Sequence, residues 1–557
     1  MTPIAPNNRP APDRPSAWSL LAALLLILSV SGVSRAQQLR DVIDAEVSAA
    51  WKKHDVEHAP PADDAAFLRR VYLDLCGTIP SYEETKAFLD DDAKDKREKL
   101  VDRLLDDPRY ALHQGDVWDM VLFGRDPPGF DARDRDGFQN WIREQFAQNT
   151  PYDEIVRQLL QAKGNTMEHG APMYLVQYKS KPEDAAVAIS QTFLGVQLQC
   201  ARCHDHPYEA WTQLDFYGMA AFLARLEVVT VGKKGKESML AVGEKNLGDV
   251  LFTGPAAEQE PGQKGEPVKA KFLLGEVLEE PQLPEDFEEP RRFASNKMPP
   301  EPKFSRKDAL ADWIASPDNP YLARAIVNRV WAQFMGRGLV HPVDNMSESN
   351  TPTHPELLEK LAAAMVDHQF DLKWYIRELV NSQTYQIGAT GPIDEAKPYW
   401  FARARTRPLS AEELAISWRT ATYYDEAMAA AGKQPKEGER FFGLTSGYMM
   451  NFFGQPENGV GDFMGGLHEH LYLNNGQVAS LISSGEKSLH HTLTNSDAPW
   501  EERIDRLFLS VLSRYPSKDE RQRLVEYVAV DDSRETDTRL REAIWALMTC
   551  SEFRFNH

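Results

Sequence analysis

The sequence predicts a mainly α protein, with two helical domains and a small β-strand insertion between them. Three observations carry this. Apolar residues recur at helical spacing through long stretches of the 557 residues. Ser, Thr, Asp or Asn before those runs and Gly or Pro after them supply start and stop signals. The period becomes strand-like only across 227–280, where short apolar runs alternate with Gly and Lys turns. The divisions that follow are a signal peptide over 1–36, an N-terminal helical domain over 37–226, a β insertion with an acidic Pro-rich linker over 227–303, and a C-terminal helical domain over 304–557.

The elements are justified in order. Residues 1–36 carry Arg9 and Arg14, an apolar run over 18–30, and the small-x-small triplet Ser34-Arg35-Ala36, the pattern of a cleaved secretory leader. The run is short for a spanning helix, so the mature chain is expected to start near Gln37, outside the cytoplasm, with no integral membrane segment. Helices are predicted over 39–55, from Asp64 to a stop at Gly77, and from a capping box of Ser81 and Glu84. Others follow over 96–105, around Trp118 to Phe123, over 138–146, and over 152–162, with Thr150 and Pro151 as N-cap and first residue. Residues 164–173 read as a loop. A helix over 182–194 stops at Gly195, and another over 211–226 carries Trp211, Phe216, Tyr217, Met219 and Phe222.

Strands are expected near 228–231, 239–242, 250–253 and 268–274, and an extended acidic linker over 279–303. The C-terminal region predicts helices over 309–315, 321–334 (closed by Gly336-Arg337-Gly338), 356–368, 374–381 and 477–483. There is also an internal echo. The run from Arg70 through Leu75, then Pro80-Ser81 and Glu84, matches the run from Arg506 through Val511, then Pro516-Ser517 and Glu520. One constant offset relates them, which predicts the same helix–turn–helix twice.

Composition narrows the function. The formal net charge is −21, and loss of the leader makes the mature chain two charges more acidic. Such a chain is a poor match for nucleic acid, whose phosphates need Lys and Arg. The four cysteines are too few for a disulfide framework. Cys76 and Cys550 lie in apolar stretches and read as buried free thiols, with a mutual disulfide as the sharper alternative.

The other two cysteines carry the chemistry. Cys200, Cys203 and His204 fall in the order Cys-x-x-Cys-His, which reads as a c-type haem attachment site. Two thiols three residues apart reach the two vinyl groups of a porphyrin, and the next imidazole supplies the axial iron ligand. The cofactor expected is haem c. The same thiols with His204 and His206 would also suit Zn, Cu or Fe. A third reading makes the motif a local staple in a non-catalytic extracellular scaffold.

Several stretches resemble the planctomycete cytochrome-c-associated family, secreted proteins built from two paired domains of unknown function. Arg70-x-Tyr72-Leu73-Asp74-Leu75, Gly77-x-x-Pro80, Phe138-x-x-Trp141 and the run from Phe193 to Thr212 resemble the first domain. Asn319-Pro320, Val327-Asn328-Arg329-Val330-Trp331, Gly336-Arg337-Gly338, Asp344-Asn345, the run from His354 to Leu358, the run from Arg407 to Glu413, and the terminal Ser551-Glu552-Phe553-x-Phe555-Asn556-His557 resemble the second. The resemblance implies an extracytoplasmic location and a haem; the role expected from the Cys-x-x-Cys-His motif is electron transfer or redox sensing, with a redox partner, protein or small molecule. The resemblance brings no established reaction.

Three weaker constellations complete the search. His468-Glu469-His470 has the spacing of a metal pair, with surface histidines as the plainer reading. Arg324, Asn328, Arg329, Asp344, Asn345 and His354 read either as a polar site or as a buried structural network. His490 and His491 read as exposed. The sequence holds no Gly-Lys phosphate loop, no Gly-x-Ser-x-Gly elbow and no His-Glu-x-x-His pair.

Overall fold

The structure is a computed structural model that describes residues 38–125, 135–234, 237–254, 265–289, 292–391, 398–433, 471–473, 477–482 and 485–557. The predicted leader and His468-Glu469-His470 lie outside the described residues. The fold is mainly α, as its periodicity predicts. The N-terminal helices are α1 (Leu39–His54), α2 (Asp64–Cys76), α3 (Tyr82–Leu89), α4 (Lys96–Leu105), α5 (Pro108–Phe123), α6 (Asp136–Ala147), α7 (Tyr152–Leu160), α8 (Met173–Val176), α9 (Pro182–Ile189) and α10 (Gln213–Ala221). Among the described residues no helix is long and apolar enough to cross a membrane.

Strands β2 (Leu226–Lys234) and β3 (Glu237–Glu244) form an antiparallel pair, and β1 (Gly164–Asn165) adds to the free edge of β3. The stretch over 164–173 is therefore a strand as well as a loop. A second pair, β4 (Val250–Phe252) and β5 (Glu266–Val268), leans on α10 through Tyr217 and Phe252, whose rings lie 5.2 Å apart. The fourth strand is shorter than its apolar run because the chain turns at Gly275, where Lys271 bridges Val277. The acidic linker is docked by its charges: Glu280 pairs with Arg225 and Arg306, and Glu289 accepts from the backbone of Asn246 and Leu247.

Two helix starts differ from expectation. Pro151, not Thr150, is the N-cap of α7, because its extended backbone ends the preceding turn and no side chain caps the helix. The helix over 211–226 begins at Gln213. Thr212 caps it, accepting from Asp215 N while Asp215 reaches back, so Trp211 lies before the cap.

The C-terminal region adds α11 (Arg306–Ile314), α12 (Leu322–Met335), α13 (Pro355–Asp367), α14 (Leu372–Val380), α15 (Gln383–Gln386), α16 (Ala411–Thr422), α17 (Tyr424–Ala430), α18 (Leu489–Thr494), α19 (Trp500–Val511), α20 (Lys518–Val528), α21 (Ser533–Thr549) and α22 (Ser551–Arg554). Strand β6 (Arg407–Pro408) pairs with β7 (Phe555–Asn556). One continuous apolar core runs from Leu39 to Phe401, so Phe67 and Phe193 share it with Trp331, Leu361 and Tyr375. A second core gathers Leu414, Trp418, Phe508 and Ile544, and takes in Leu73 and Ile79 from the first helices.

The echo is structural. Both copies start their second helix with a capping box, Ser81 with Glu84 and Ser517 with Glu520. Both carry a left-handed residue at the same offset, Gly77 (φ 64°) and Ser513 (φ 60°). The copies also pack on one another: the Arg506 guanidinium lies 4.2 Å from the Tyr82 ring centre.

The joint between the two ends of the sequence is a buried polar network. Asp74 Oδ1 accepts from Arg407 Nη2 (3.0 Å) and Asn556 Nδ2 (2.7 Å), and Asp74 Oδ2 accepts from Tyr385 Oη (2.7 Å). Arg407 also donates to both oxygens of Glu413, at 2.8 Å each. Arg69 Nη2 donates to Phe553 O (2.7 Å), and Arg70 Nη1 donates to Tyr385 O (2.7 Å) and Ile387 O (2.9 Å). Burial pushes the Asp74 carboxyl above its ordinary range although Arg407 opposes it. Three of the sequence signatures, around Arg70, Arg407 and Asn556, thus hold one another.

Candidate functional site

Helix α9 widens into a π turn over Ser190–Leu194 and stops at Gly195 in the left-handed region, φ 67°. A side chain there would also meet Met346, because an added Cβ would lie 3.1 Å from its sulfur. Buried Leu198 leads into a 3₁₀ turn over Gln199–Arg202. Ala201 points into the core at 0% exposure, whereas Cys200 and Cys203 are exposed. Residues three apart eclipse one another in a 3₁₀ turn, and Cys203 N donates to Cys200 O at 3.4 Å. The two thiols therefore leave the same face of one turn.

The two histidines are set differently. His204 is exposed, and its Nδ1 lies 2.7 Å from Asp205 O. A carbonyl only accepts, so Nδ1 carries the proton and Nε2 of the neutral ring keeps its lone pair. His206 Nδ1 accepts from the backbone N–H of Glu209 (3.0 Å) and Tyr208 (3.3 Å). Its proton therefore sits on Nε2, and the neutral ring offers no lone pair to a metal. The geometry separates a ligand-ready His204 from a structural His206.

The turn is staked from both sides. Asp205 Oδ1 accepts from Gln213 N (2.8 Å), and Arg202 O accepts from Gln213 Nε2 (3.3 Å) and Tyr217 Oη (3.2 Å). Arg202 itself swings out to Asp184, at 3.0 Å. The second stake comes from the loop after α12. Gln197 Nε2 donates to Asp344 (3.4 Å) and Met346 N donates to Gly195 O (2.7 Å). Glu209 accepts from Glu348 N (3.1 Å), Ser349 N (3.4 Å) and Ser349 Oγ (2.8 Å). Burial raises the Glu209 carboxyl, but these bonds outweigh it and leave it below its ordinary value. Asn328, fully buried, holds the far end of the loop by bonding Val340 and Val343. Sequence reasoning did not single out Asp205 or Glu209; their only signal is a carboxylate beside a Pro-containing turn.

The donor set fits a c-type haem in three respects: two free, outward thiols on one face, an adjacent imidazole with a bare Nε2, and apolar surface nearby in the chain. Tyr208 is 80% exposed and Leu214 51% exposed, with Trp211 and Tyr217 half-buried behind. Among the described residues no group of three His, Cys, Asp or Glu stands ready to hold a metal ion.

The remaining candidates sort plainly. Cys76 is buried and free, its thiol pushed up to about 12 by burial, and Cys550 is also free, so the two form no disulfide. Arg324 is drawn off to Glu359 on the surface, while Asn328 serves the loop, so that cluster is no single site. His490 is 2% exposed rather than on the surface, because α18 turns it toward Asp537 of α21, 3.1 Å away.

Residues 42–228 match the family model PSCyt2, a protein of unknown function (DUF1549), and residues 306–439 match PSD1, a protein of unknown function (DUF1553). The Cys-x-x-Cys-His turn falls in the first match and the loop that stakes it in the second. No curated protein and no solved structure matches the chain.

Proposed function

We propose that this chain, which pairs a DUF1549 domain with a DUF1553 domain, is an exported c-type haem protein with an electron-transfer or redox role. Cys200 and Cys203 would anchor the haem through their thiols and His204 would bind its iron. The observation that supports this most is the pairing of two exposed thiols on one 3₁₀ face with an imidazole whose Nδ1–H is tied to Asp205 O. That bond orients the ring and fixes its tautomer. When bound, haem supplies one-electron chemistry. The protein's own residues anchor and orient it: Asp205 and Gln213 fix the turn, and Glu209 ties it to the second domain.

On this reading the leader over 1–36 is removed on export, and a redox partner, protein or small molecule, meets the exposed turn. The secreted, cytochrome-associated character of the planctomycete family belongs to the same proposal. The alternative, a Zn, Cu or Fe site from the same thiols, loses His206 as a ligand because its only acceptor nitrogen is engaged.

The test is haem staining in denaturing gels of protein matured in a host with a c-type attachment pathway. A covalently stained band is expected, lost in the Cys200→Ala, Cys203→Ala double variant. His204→Ala keeps part of the stain and shifts the visible spectrum. Unstained wild-type protein carrying one equivalent of metal would transfer the site to the metal reading.

A further inference from the structure

A cavity of about 1020 Å³ lies between α1 and the chain around α15, and no residue of the Cys-x-x-Cys-His turn lines it. Its walls come from both family matches: Asp44, Ser48 and Trp51 from the first, Asn381, Thr384 and Ile387 from the second. Backbone pairing joins the two walls. Pro61 bridges Ile387, Gly388 N donates to Pro60 O (2.7 Å), and Ala62 N donates to Gln386 O (2.9 Å). Clefts that take drug-sized ligands run from about 300 to about 1,000 Å³ and favour such junctions between domains.

Several polar groups of these walls are committed to the protein itself. Asp44 accepts from Gln383 N (2.9 Å), Thr384 N (2.8 Å) and Thr384 Oγ1 (2.8 Å). Arg97 donates to Asp64 Oδ1, Gln386 Oε1 and Ala62 O. Gln386 Nε2 donates to Val380 O, and Ser48 Oγ donates to Ala45 O. A buried hydroxyl left without a partner is costly, so walls committed in this way disfavour a polyhydroxylated occupant. Lys52, Asp55, Glu57 and Gln383 also line the cavity and are exposed. They mix both signs of charge with a neutral amide, which selects an ion of neither sign. The apolar lining includes Ala45, Val56, Pro61, Ile387 and the ring of Trp51. Trp51 Nε1 donates to Trp400 O (2.7 Å), and its ring stacks on His58 at 4.5 Å and 22°. Held by both, the half-buried ring is a fixed flat wall, and a wall already ordered lowers the entropy cost of binding.

We propose that this cavity is a binding site for one small neutral molecule with a flat apolar body. The body packs against Trp51 and Ile387, where burial of apolar surface supplies the affinity and ring-on-ring contact adds to it. A single hydroxyl or carbonyl of the ligand stays among the exposed side chains of Lys52, Asp55, Glu57 and Gln383. The site is independent of the haem reading.

The test is calorimetric titration of the full chain, near neutral pH, with β-naphthol as the neutral flat probe, β-naphthoate as its anionic analogue and maltotriose as the polyhydroxylated one. Ser48→Trp is the site variant: it fills the cavity from α1, and the lost hydroxyl bonds only within its own helix. Ala45→Trp, at an exposed position lining the same cavity, repeats the test should Ser48→Trp melt early. Lys53→Trp, exposed on α1 outside the lining, is the control. Saturable one-to-one binding of β-naphthol is expected, tighter than β-naphthoate, with an enthalpy that grows more negative on warming. The site variant should weaken it about tenfold or more, and the control should leave it within about twofold. No saturable β-naphthol binding, tighter binding of β-naphthoate or maltotriose, or an equal loss in site variant and control, overturns the proposal.

Discussion

Replacing Asp74 by Ala tests whether the joint carries stability. The side chain is 4% exposed and accepts three hydrogen bonds. Its removal leaves Arg407 with Glu413, so that charge stays paired. Asn556 Nδ2 and Tyr385 Oη each lose the carboxylate acceptor in a buried setting. Each orphaned donor costs about 1–3 kcal/mol, which puts the loss for the two at ~4 kcal/mol. An unfolding entropy of ~2 cal/mol/K per residue gives about 1.1 kcal/mol/K for a chain of this length. A single cooperative melt therefore falls by ~4 °C. If the C-terminal core melts separately, the shift concentrates in that transition and is larger. Scanning calorimetry of wild type, Asp74→Ala and Asp74→Asn reads this out. Asn keeps one accepting oxygen, so it should lose about half as much. An Asp74→Ala melt within 1 °C of wild type would refute the reasoning, since the three bonds would then add nothing over their solvated counterparts.

Other outcomes follow from single residues. His354 is buried, and its Nδ1 donates to Thr353 Oγ, which in turn donates to Leu339 O. Burial lowers its pKa to about 4. The unfolded chain then binds the extra proton between pH ~6.5 and ~4, so stability present above pH 6.5 is lost as the pH falls, by at most about 3 kcal/mol. His354→Phe should flatten that part of a pH–melting profile; an identical acid slope in the variant would count against the burial argument. Ser513 sits left-handed with its hydroxyl buried and unpartnered, so Ser513→Gly should stabilise by roughly 1 kcal/mol. Gly77→Ala should destabilise by several times that, because its Cβ would come within 2.3 Å of His113 Nδ1. Equal and small effects of the two changes in a urea titration would contradict the matched geometry of the echo.

Most helices were legible because each carried two agreeing signals, a 3.6-residue period and a cap. Gly77, Gly195 and Gly336 all end helices in the left-handed region where sequence reasoning put them. The misses have two causes, a local capping box passed over and a remote contact. Trp211 looked helical, but Thr212 and Asp215 capped the chain just after it. His490 looked exposed beside His491, yet α21 covers it. For the candidate site, the motif named its residues but not their tautomers. Those depend on the Asp205 carbonyl and on backbone N–H groups of Tyr208 and Glu209, which a residue pattern does not display. The second-domain stake at Ser349 is 140 residues from Glu209, beyond any local rule.

The bond between Asn556 and Asp74 spans 482 residues. At ~5–20 residues per second of translation, Asp74 is made about 25–100 s before its partner exists. Arg70 and Asp74 of α2 wait 311–333 residues for Tyr385, Ile387 and Arg407, and Arg69 and the last contact of Asp74 wait 442–484 residues for Val511, Phe553 and Asn556. A helix so provisioned gains little by burying itself early. The N-terminal region is thereby kept from sealing prematurely, and its completion waits on the arrival of residues 553–556. On the export proposed above, late closure would leave the polypeptide threadable for as long as it is being made.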